Sequence, residues 1–286
     1  MRPPYITDQF LKDFITSAFR EDIGDGDHSS LAAIPEQAVS VAQLVVKDDG
    51  ILAGVEFAEK IFHHFDPSLR LEVKIADGKA VKRGDIGFFV SGSARSILST
   101  ERLVLNTMQR MSGIATMTHR LTSLLNGTKT KLLDTRKTTP NFRLPEKWAV
   151  AIGGGTNHRI GLYDMIMLKD NHIDMAGGIT AAINRTKDYL RAANKDLKIE
   201  VETRNLKEVE EVLRVGGVDF IMLDNMELTT MKEAVRLIGD RFKTEASGGI
   251  TEDTLRAVAE CGVDFISVGA LTHSFKSLDI SLKAVK

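Results

Sequence analysis

Apolar positions in residues 7–20 recur at helical spacing. Phe10, Leu11, Phe14, Ile15, Ala18 and Phe19 form one stripe behind Thr7 or Asp8 as a cap. The glycine-rich, acidic stretch EDIGDGDHSS breaks that pattern and reads as a loop. From Val39 to Val90 the period shortens to that of strands, in VSVAQLVV, LEVKIADG and DIGFFVSG, with DDG and RGD turns. One helical segment, VEFAEKIFHHF, interrupts them, and its His63 and His64 read as surface or core-edge residues. This part of the chain predicts a small α+β unit. Residues 94–125 are helical in period and free of proline, with Ile97, Leu98, Leu105, Met108, Ile114, Met117 and Leu121 on one face. The methionines read as core, and Gly113 as a place where this helix breaks or kinks.

The chain then becomes rhythmic. Apolar runs recur as KLLD, DMIMLK, LKIEVE, VDFIML, TEAS and DFISVG, with amphipathic segments NLKEVEEVLRVG, LTTMKEAVRLIG and TEDTLRAVAECG between the later ones. The residues that close successive runs, Glu202, Asp224, Ser247 and Gly269, fall about 22 apart, the length of one compact βα unit. Strands buried on both faces read as continuous apolar runs of this kind, which points to a parallel sheet. A barrel and an open doubly wound sheet both fit. Functional-looking residues end nearly every run, which favours the barrel. Residues 113–270 are too few for eight full units, so an α/β fold with an incomplete parallel barrel is expected.

Composition narrows the function classes. Lys+Arg 38 against Asp+Glu 39 gives a net charge of -1, so no global field draws the chain to nucleic acid or a membrane surface. Any cationic site is therefore local. The single cysteine, Cys261, excludes an intrachain disulfide and suits a reducing compartment; it reads as a packed helix end. The opening MRPPYITDQF lacks the apolar core of a secretion signal, and no apolar run has membrane-spanning length. A cytoplasmic protein is expected.

The strand ends carry the candidate chemistry. After LLD come Arg136 and Lys137, after MIML comes Lys169, after IEV comes Glu202, after FIML comes Asp224. In a parallel barrel all of these face one rim. The loop GGGTNHR, too glycine-rich to be packed core, adds His158 and Arg159. Arginine suits bidentate recognition of carboxylate or phosphate, and lysine serves as a point charge. So many cations repel one another unless they pair with Asp134, Asp164 and Asp170 or meet a ligand with at least two negative charges. The turns ASGGI and VGALTHS, with Ser247, Gly248, Gly249 and Gly269, offer backbone N–H groups where barrels commonly bind phosphate. Glu202 and Asp224 suit Mg2+, which prefers oxygen ligands, or else simply neutralise rim lysines. No zinc spacing, nucleotide P-loop, dinucleotide fingerprint or Ser-His-Asp elbow is present.

In EDIGDGD, DGILAG, ERLVLNTMQRMSGIAT, DTRKTTP, EKWAVAIGGGTNHRIGLYDMIMLKDNH, EVE, IMLDNM, EASGGI and GVDFISVGALTHS, the sequence resembles the quinolinate phosphoribosyltransferase family, the carboxylating nicotinate-nucleotide pyrophosphorylases. The similarity runs through almost the whole chain. It implies an N-terminal α/β sandwich over residues 1–112, rejoined by 271–286, and an incomplete barrel over 113–270. It also implies a homodimer, open to further assembly, in which the sandwich of one subunit covers the barrel mouth of the other. Arg102 matches an arginine donated across that interface. Arg136, His158, Arg159 and Lys169 resemble quinolinate-carboxylate binders, and Lys137 a contact to phosphoribosyl pyrophosphate. Glu202 and Asp224 resemble the acidic pair near ribose and Mg2+. Ser247, Gly248, Gly249 and Gly269 resemble the 5′-phosphate cradle. Catalytic roles are implied for Lys137, Lys169, Glu202 and Asp224. Three departures stand out: Asn141 replaces a usual glycine after TTP, Pro145 interrupts the next segment, and GDHSS replaces a Thr-bearing version.

Three rival readings of this pattern compete with that one. One is the pyrophosphorylase-like protein of molybdenum-uptake operons, against which the full cation set argues. The second is a Schiff-base lyase using Lys169, which needs a desolvated lysine. The third is a phosphate-ligand sensor, for which Glu202 and Asp224 are dispensable.

Overall fold

Thr7 opens the first helix by accepting the Phe10 amide on its hydroxyl at 3.0 Å. Among the described residues, the alternating patterns above resolve into twelve strands and eleven helices. The computed structural model describes residues 2–285. In chain order the elements are α1 (Asp8–Ile23), α2 (His28–Ala33), β1 (Val39–Val46), β2 (Gly50–Ile51), α3 (Val55–Phe65), β3 (Arg70–Val73), β4 (Ala80–Val81), β5 (Ile86–Ser93) and α4 (Ala94–Leu124). There follow β6 (Lys131–Leu133), α5 (Arg143–Ile152), β7 (Ile166–Leu168), α6 (Asp170–Ala176), α7 (Ile179–Ala192), β8 (Ile199–Thr203) and α8 (Leu206–Val215). The chain ends with β9 (Phe220–Asp224), α9 (Leu228–Ile238), β10 (Lys243–Ser247), α10 (Glu252–Ala259), β11 (Phe265–Ser267), α11 (Ala270–His273) and β12 (Ile280–Ala284).

Two compact units result. One takes residues up to 119, 139–154 and 271 onward; the other takes 120–138 and 155–270. Set beside the expected division at residue 112, the first unit runs further along α4 and also includes α5. Met1 and Lys286, the end residues of the expected ranges, lie outside the described residues.

The first unit is built on an antiparallel sheet of order β12-β1-β5-β3. Ala42, Leu44 and Val46 alternate inward along β1 while Val39 and Val41 stay exposed, the period-two signature of a sheet with one covered face. The C-terminal segment returns as β12, with Ile280 opposite Val46. On α3, Phe57, Ala58, Ile61 and Phe62 are buried; the Phe62 ring meets Phe88 edge-on at 5.9 Å. Each such buried aromatic contributes roughly 1.5–3 kcal/mol.

Three local expectations change. EDIGDGDHSS is not all loop: its ends are helical, and Asp27 caps α2 by accepting the Ser30 amide at 3.1 Å. Gly113 does not break α4, which is continuous. A Cβ there would strike the Lys276 carbonyl and come within 2.9 Å of Ser277 Cα, so glycine admits the returning chain instead. Pro145 interrupts nothing, because it falls in the first turn of α5, where a helix needs no amide donor. Asn141 adopts φ 62°, a left-handed conformation that asparagine tolerates after glycine, which accounts for the replacement after TTP.

Within the same unit, the fully buried Glu146 carboxylate accepts from Arg110 Nε at 2.8 Å and from the Thr139 amide at 3.1 Å. This pair closes the segment that follows Lys137 and Thr138. Removing one partner strands a buried charge. Arg110→Met should therefore lower the unfolding free energy by about 3 kcal/mol, measured by urea denaturation.

The second unit is a parallel sheet of order β6-β11-β10-β9-β8-β7. All five positions of β8 are buried, as expected of a strand covered on both faces. A parallel bridge between Leu133 and Thr156 extends the outer edge of β6. Among the described residues, no strand pairing joins β6 to β7. The result is an incomplete barrel. Cys261 is buried just beyond α10, where burial raises its thiol pKa.

Candidate active site

Because the six strands run parallel, their C-terminal ends form one rim. Register puts the predicted residues side by side. Glu202 pairs with Met222 across β8 and β9, and Asp224 pairs with Ser247 across β9 and β10. Ala246 pairs with Ile266, which sets the Ser247–Gly249 turn beside the chain leading to Gly269.

Glu202 is 8% exposed. Burial raises its pKa first, and the charge of Asp224 raises it further; the Lys169 charge and an Asp170 amide oppose both. These effects bring Glu202, Asp224 and Lys169 into one electrostatic cluster. The donor set suits Mg2+: two carboxylates, one of them desolvated and repelled by the other, gain most from a hard divalent cation between them.

The glycine turn is tied to the same point. Gly248 has φ +92°, and a Cβ on it would collide with the Asn225 side-chain amide. Asn225 donates its side-chain amide to Asp224 Oδ2 at 2.7 Å. Its backbone amide donates to the Ser247 carbonyl at 2.9 Å, which closes the link between β9 and β10. Asp224 and the turn are thereby held as one piece.

On the cationic side, burial lowers the Arg159 pKa, and the Arg136 charge lowers it further, so these two guanidinium groups are close enough to repel. Arg159 donates to the Met165 carbonyl at 3.2 Å. The nearby aspartates are engaged by the loop itself: Asp134 accepts from the Asn157 side chain and the His158 amide, and Asp164 accepts from the Ile160 and Gly161 amides. Among the described residues, Arg136, Arg159 and Lys169 form no ion pair within 4.0 Å. Lys169 is exposed at the start of α6, without the burial that a Schiff-base lysine needs. Lys137 is also exposed.

Two expected members remain, Arg102 and His158. Arg102 is exposed on α4, in the first unit. The His158 side chain is only 8% exposed, whereas its glycine-rich loop predicts an unpacked one. Its Nε2 lies 3.0 Å from Glu200 and 3.2 Å from Glu245, while Nδ1 accepts the Arg159 amide at 2.7 Å. Burial alone would lower the imidazole pKa and the two carboxylates more than offset it, yet the Arg159 amide 2.7 Å from Nδ1 leaves no place for the second proton that a raised pKa favours. The Arg159 amide opposes a second proton on Nδ1, so the ring is assigned as the Nε2–H form while that bond holds. Burial and the neighbouring Glu245 charge raise Glu200 to about 7.

A search confined to strand ends misses Glu200 and Glu245. The usable signal is period two: Glu200 precedes Glu202 by two positions, and Glu245 precedes Ser247 by two, so each faces the same way as a rim residue.

Comparison with known proteins supplies the rest. Residues 27–112 match the family description "Quinolinate phosphoribosyl transferase, N-terminal domain", and residues 114–283 match the corresponding C-terminal domain. The chain is 47% identical over 298 residues to the chloroplastic nicotinate-nucleotide pyrophosphorylase [carboxylating] of Arabidopsis thaliana, covering 99% of this chain and 85% of that one. It is 43% identical over 272 residues to a probable nicotinate-nucleotide pyrophosphorylase [carboxylating] of Bacillus subtilis, covering 95% and 92%. The crystal structure of NadC from Streptococcus pyogenes superposes with a TM-score of 0.92 at 40% identity, over 98% of this chain and 99% of that one.

Proposed function

The chain belongs to the quinolinate phosphoribosyltransferase family, and from that premise we infer how its rim performs the family reaction. Quinolinate and phosphoribosyl pyrophosphate combine to nicotinate mononucleotide, pyrophosphate and CO2, the step by which quinolinate enters NAD biosynthesis. The observation that carries the reading is a rim where three cations lack ion-pair partners among the described residues and share the strand ends with two carboxylates and a glycine turn.

Arg136, Arg159 and Lys169 hold the two quinolinate carboxylates, joined by Arg102 of the partner subunit in a homodimer. Lys137 contacts phosphoribosyl pyrophosphate. Ser247, Gly248, Gly249 and Gly269 take its 5′-phosphate on backbone N–H groups. Glu202 and Asp224 are the residues that would hold Mg2+, which would supply positive charge to stabilise a leaving pyrophosphate. The same two carboxylates stabilise positive charge developing at ribose C1 as the ring nitrogen bonds to it. The resulting pyridinium draws in the electron pair released when the adjacent carboxylate leaves as CO2, and that carbon then takes a proton. No protein nucleophile is needed. Much of the acceleration comes from holding two anions that repel in water.

The exposure of Arg102 on α4 supports a shared site, since its guanidinium is accessible to a second subunit. A chain with one cysteine suits a reducing compartment, and the cytoplasm is the location we assign; several plant relatives are named chloroplastic or mitochondrial.

The direct test supplies purified protein with quinolinate, phosphoribosyl pyrophosphate and Mg2+. CO2 and nicotinate mononucleotide should appear in equal amounts, and chelation of Mg2+ should stop both. Turnover of a different pyridine carboxylate in place of quinolinate would move the substrate assignment while leaving the fold intact.

A further inference from the structure

The buried cluster below the rim has a use that packing does not explain. Glu200 is 0% exposed and Glu245 is 1% exposed. Each has one carboxylate oxygen without a hydrogen-bond partner among the described residues. Burying such groups costs stability, and replacing a buried ionic cluster with apolar side chains is often neutral or stabilising. Stability alone therefore gives no reason for two glutamates and a histidine at this place.

A metal ion is the first alternative, because the His158 ring and both carboxylates could each offer one ligand atom. The tautomer argues against it. The Arg159 amide donates to Nδ1 at 2.7 Å. A metal on Nε2 would move the imidazole proton to Nδ1, where it would face that amide hydrogen.

We propose that Glu200 and Glu245 are positioning residues that hold the His158 ring by its Nε2–H group so that Nδ1 fixes the backbone of Arg159. The chain of contacts is short. Carboxylates on β8 and β10 anchor Nε2 at 3.0 and 3.2 Å, and Nδ1 anchors the next residue's amide. Asp134, at the end of β6, holds the same loop from its other side through the His158 amide at 2.8 Å. The Arg159 guanidinium is then aimed by two hydrogen bonds, to the Met165 carbonyl at 3.2 Å and to Met167 Sδ at 3.6 Å. On this proposal His158 acts through Arg159, a positioning role alongside the carboxylate contact that the family resemblance implies. This proposal rests on the reading that Arg159 binds quinolinate.

The test compares the pairs Glu200→Met/Glu245→Met and Glu200→Gln/Glu245→Gln with Arg159→Ala and the parent protein. Methionine fills similar space but accepts no comparable hydrogen bond; glutamine retains an acceptor oxygen. The methionine pair should raise KM for quinolinate about tenfold while KM for phosphoribosyl pyrophosphate stays within about twofold. The glutamine pair should stay within about twofold of the parent for both substrates. If the methionine pair does not fold, the single variants Glu200→Met and Glu245→Met carry the test, with about a threefold rise each. An unchanged quinolinate KM, or an equal rise for both substrates, would overturn the proposal. If Arg159→Ala itself leaves the quinolinate KM unchanged, the reading of Arg159 as a substrate contact fails, and this proposal fails with it.

Discussion

Mixing two inactive variants, Arg102→Ala and Lys169→Ala, should restore about a quarter of the parent turnover if the homodimer shares its sites. On the proposed reading, each variant alone removes a charge-assisted contact to a substrate carboxylate. Losing such a contact in a desolvated site costs about 2–5 kcal/mol, or roughly 30- to 5000-fold in kcat/KM for quinolinate. After subunit exchange, half of the dimers combine one chain of each kind. In such a dimer, one site joins an intact Lys169 to an intact Arg102 from the partner subunit, and the other lacks both. Half of the dimers with half of their sites active gives the quarter. A mixture that stays as inactive as its parts, after exchange has been verified by mass, would place Arg102 in its own subunit's site or in none.

Glu202→Gln should separate function from stability. If Glu202 has the proposed role beside ribose C1 and Mg2+, turnover should fall about 10²- to 10³-fold. Stability should change in the opposite direction. Burial and Asp224 raise the pKa of Glu202 above its usual 4.5, so the ionised form costs folding energy at pH values above the folded pKa. That cost fades as pH falls and vanishes below the unfolded value, where both states are protonated. The Tm gain of Glu202→Gln should therefore be present at pH 7–8 and disappear as the pH drops below about 4.5. A variant that loses activity and also loses stability at neutral pH would show that Glu202 is needed for folding, with no conflict between its two roles.

The family resemblance and the rim are both legible in the chain because they depend on short-range signals. Strand ends are marked where apolar runs stop, and in a parallel barrel those stops coincide at one rim. The acidic pair Glu202 and Asp224 falls on adjacent strands from spacing alone. The difference at Gly113 has another origin. Helix propensity predicts a weakness there, whereas the actual constraint is the Lys276–Ser277 backbone more than 160 positions later in the chain. Pro145 differs for a local reason, because a proline stops a helix only when it lies beyond the first turn.

The sequence by itself pointed to the strand-rich first part, the long helix after it, the run of parallel strands that favours an incomplete barrel, and the charged residues at the strand ends. These follow from periodicities of two and 3.6 and from where they end. Only the tertiary structure decided which charges meet. His158 belongs by sequence to a glycine-rich loop among substrate-binding cations, yet its ring is held between Glu200 and Glu245, 42 and 87 positions away. The physical reason is that burial and hydrogen-bond satisfaction are properties of three-dimensional neighbours. A ring nitrogen, once desolvated, goes to whatever acceptor the fold brings within reach.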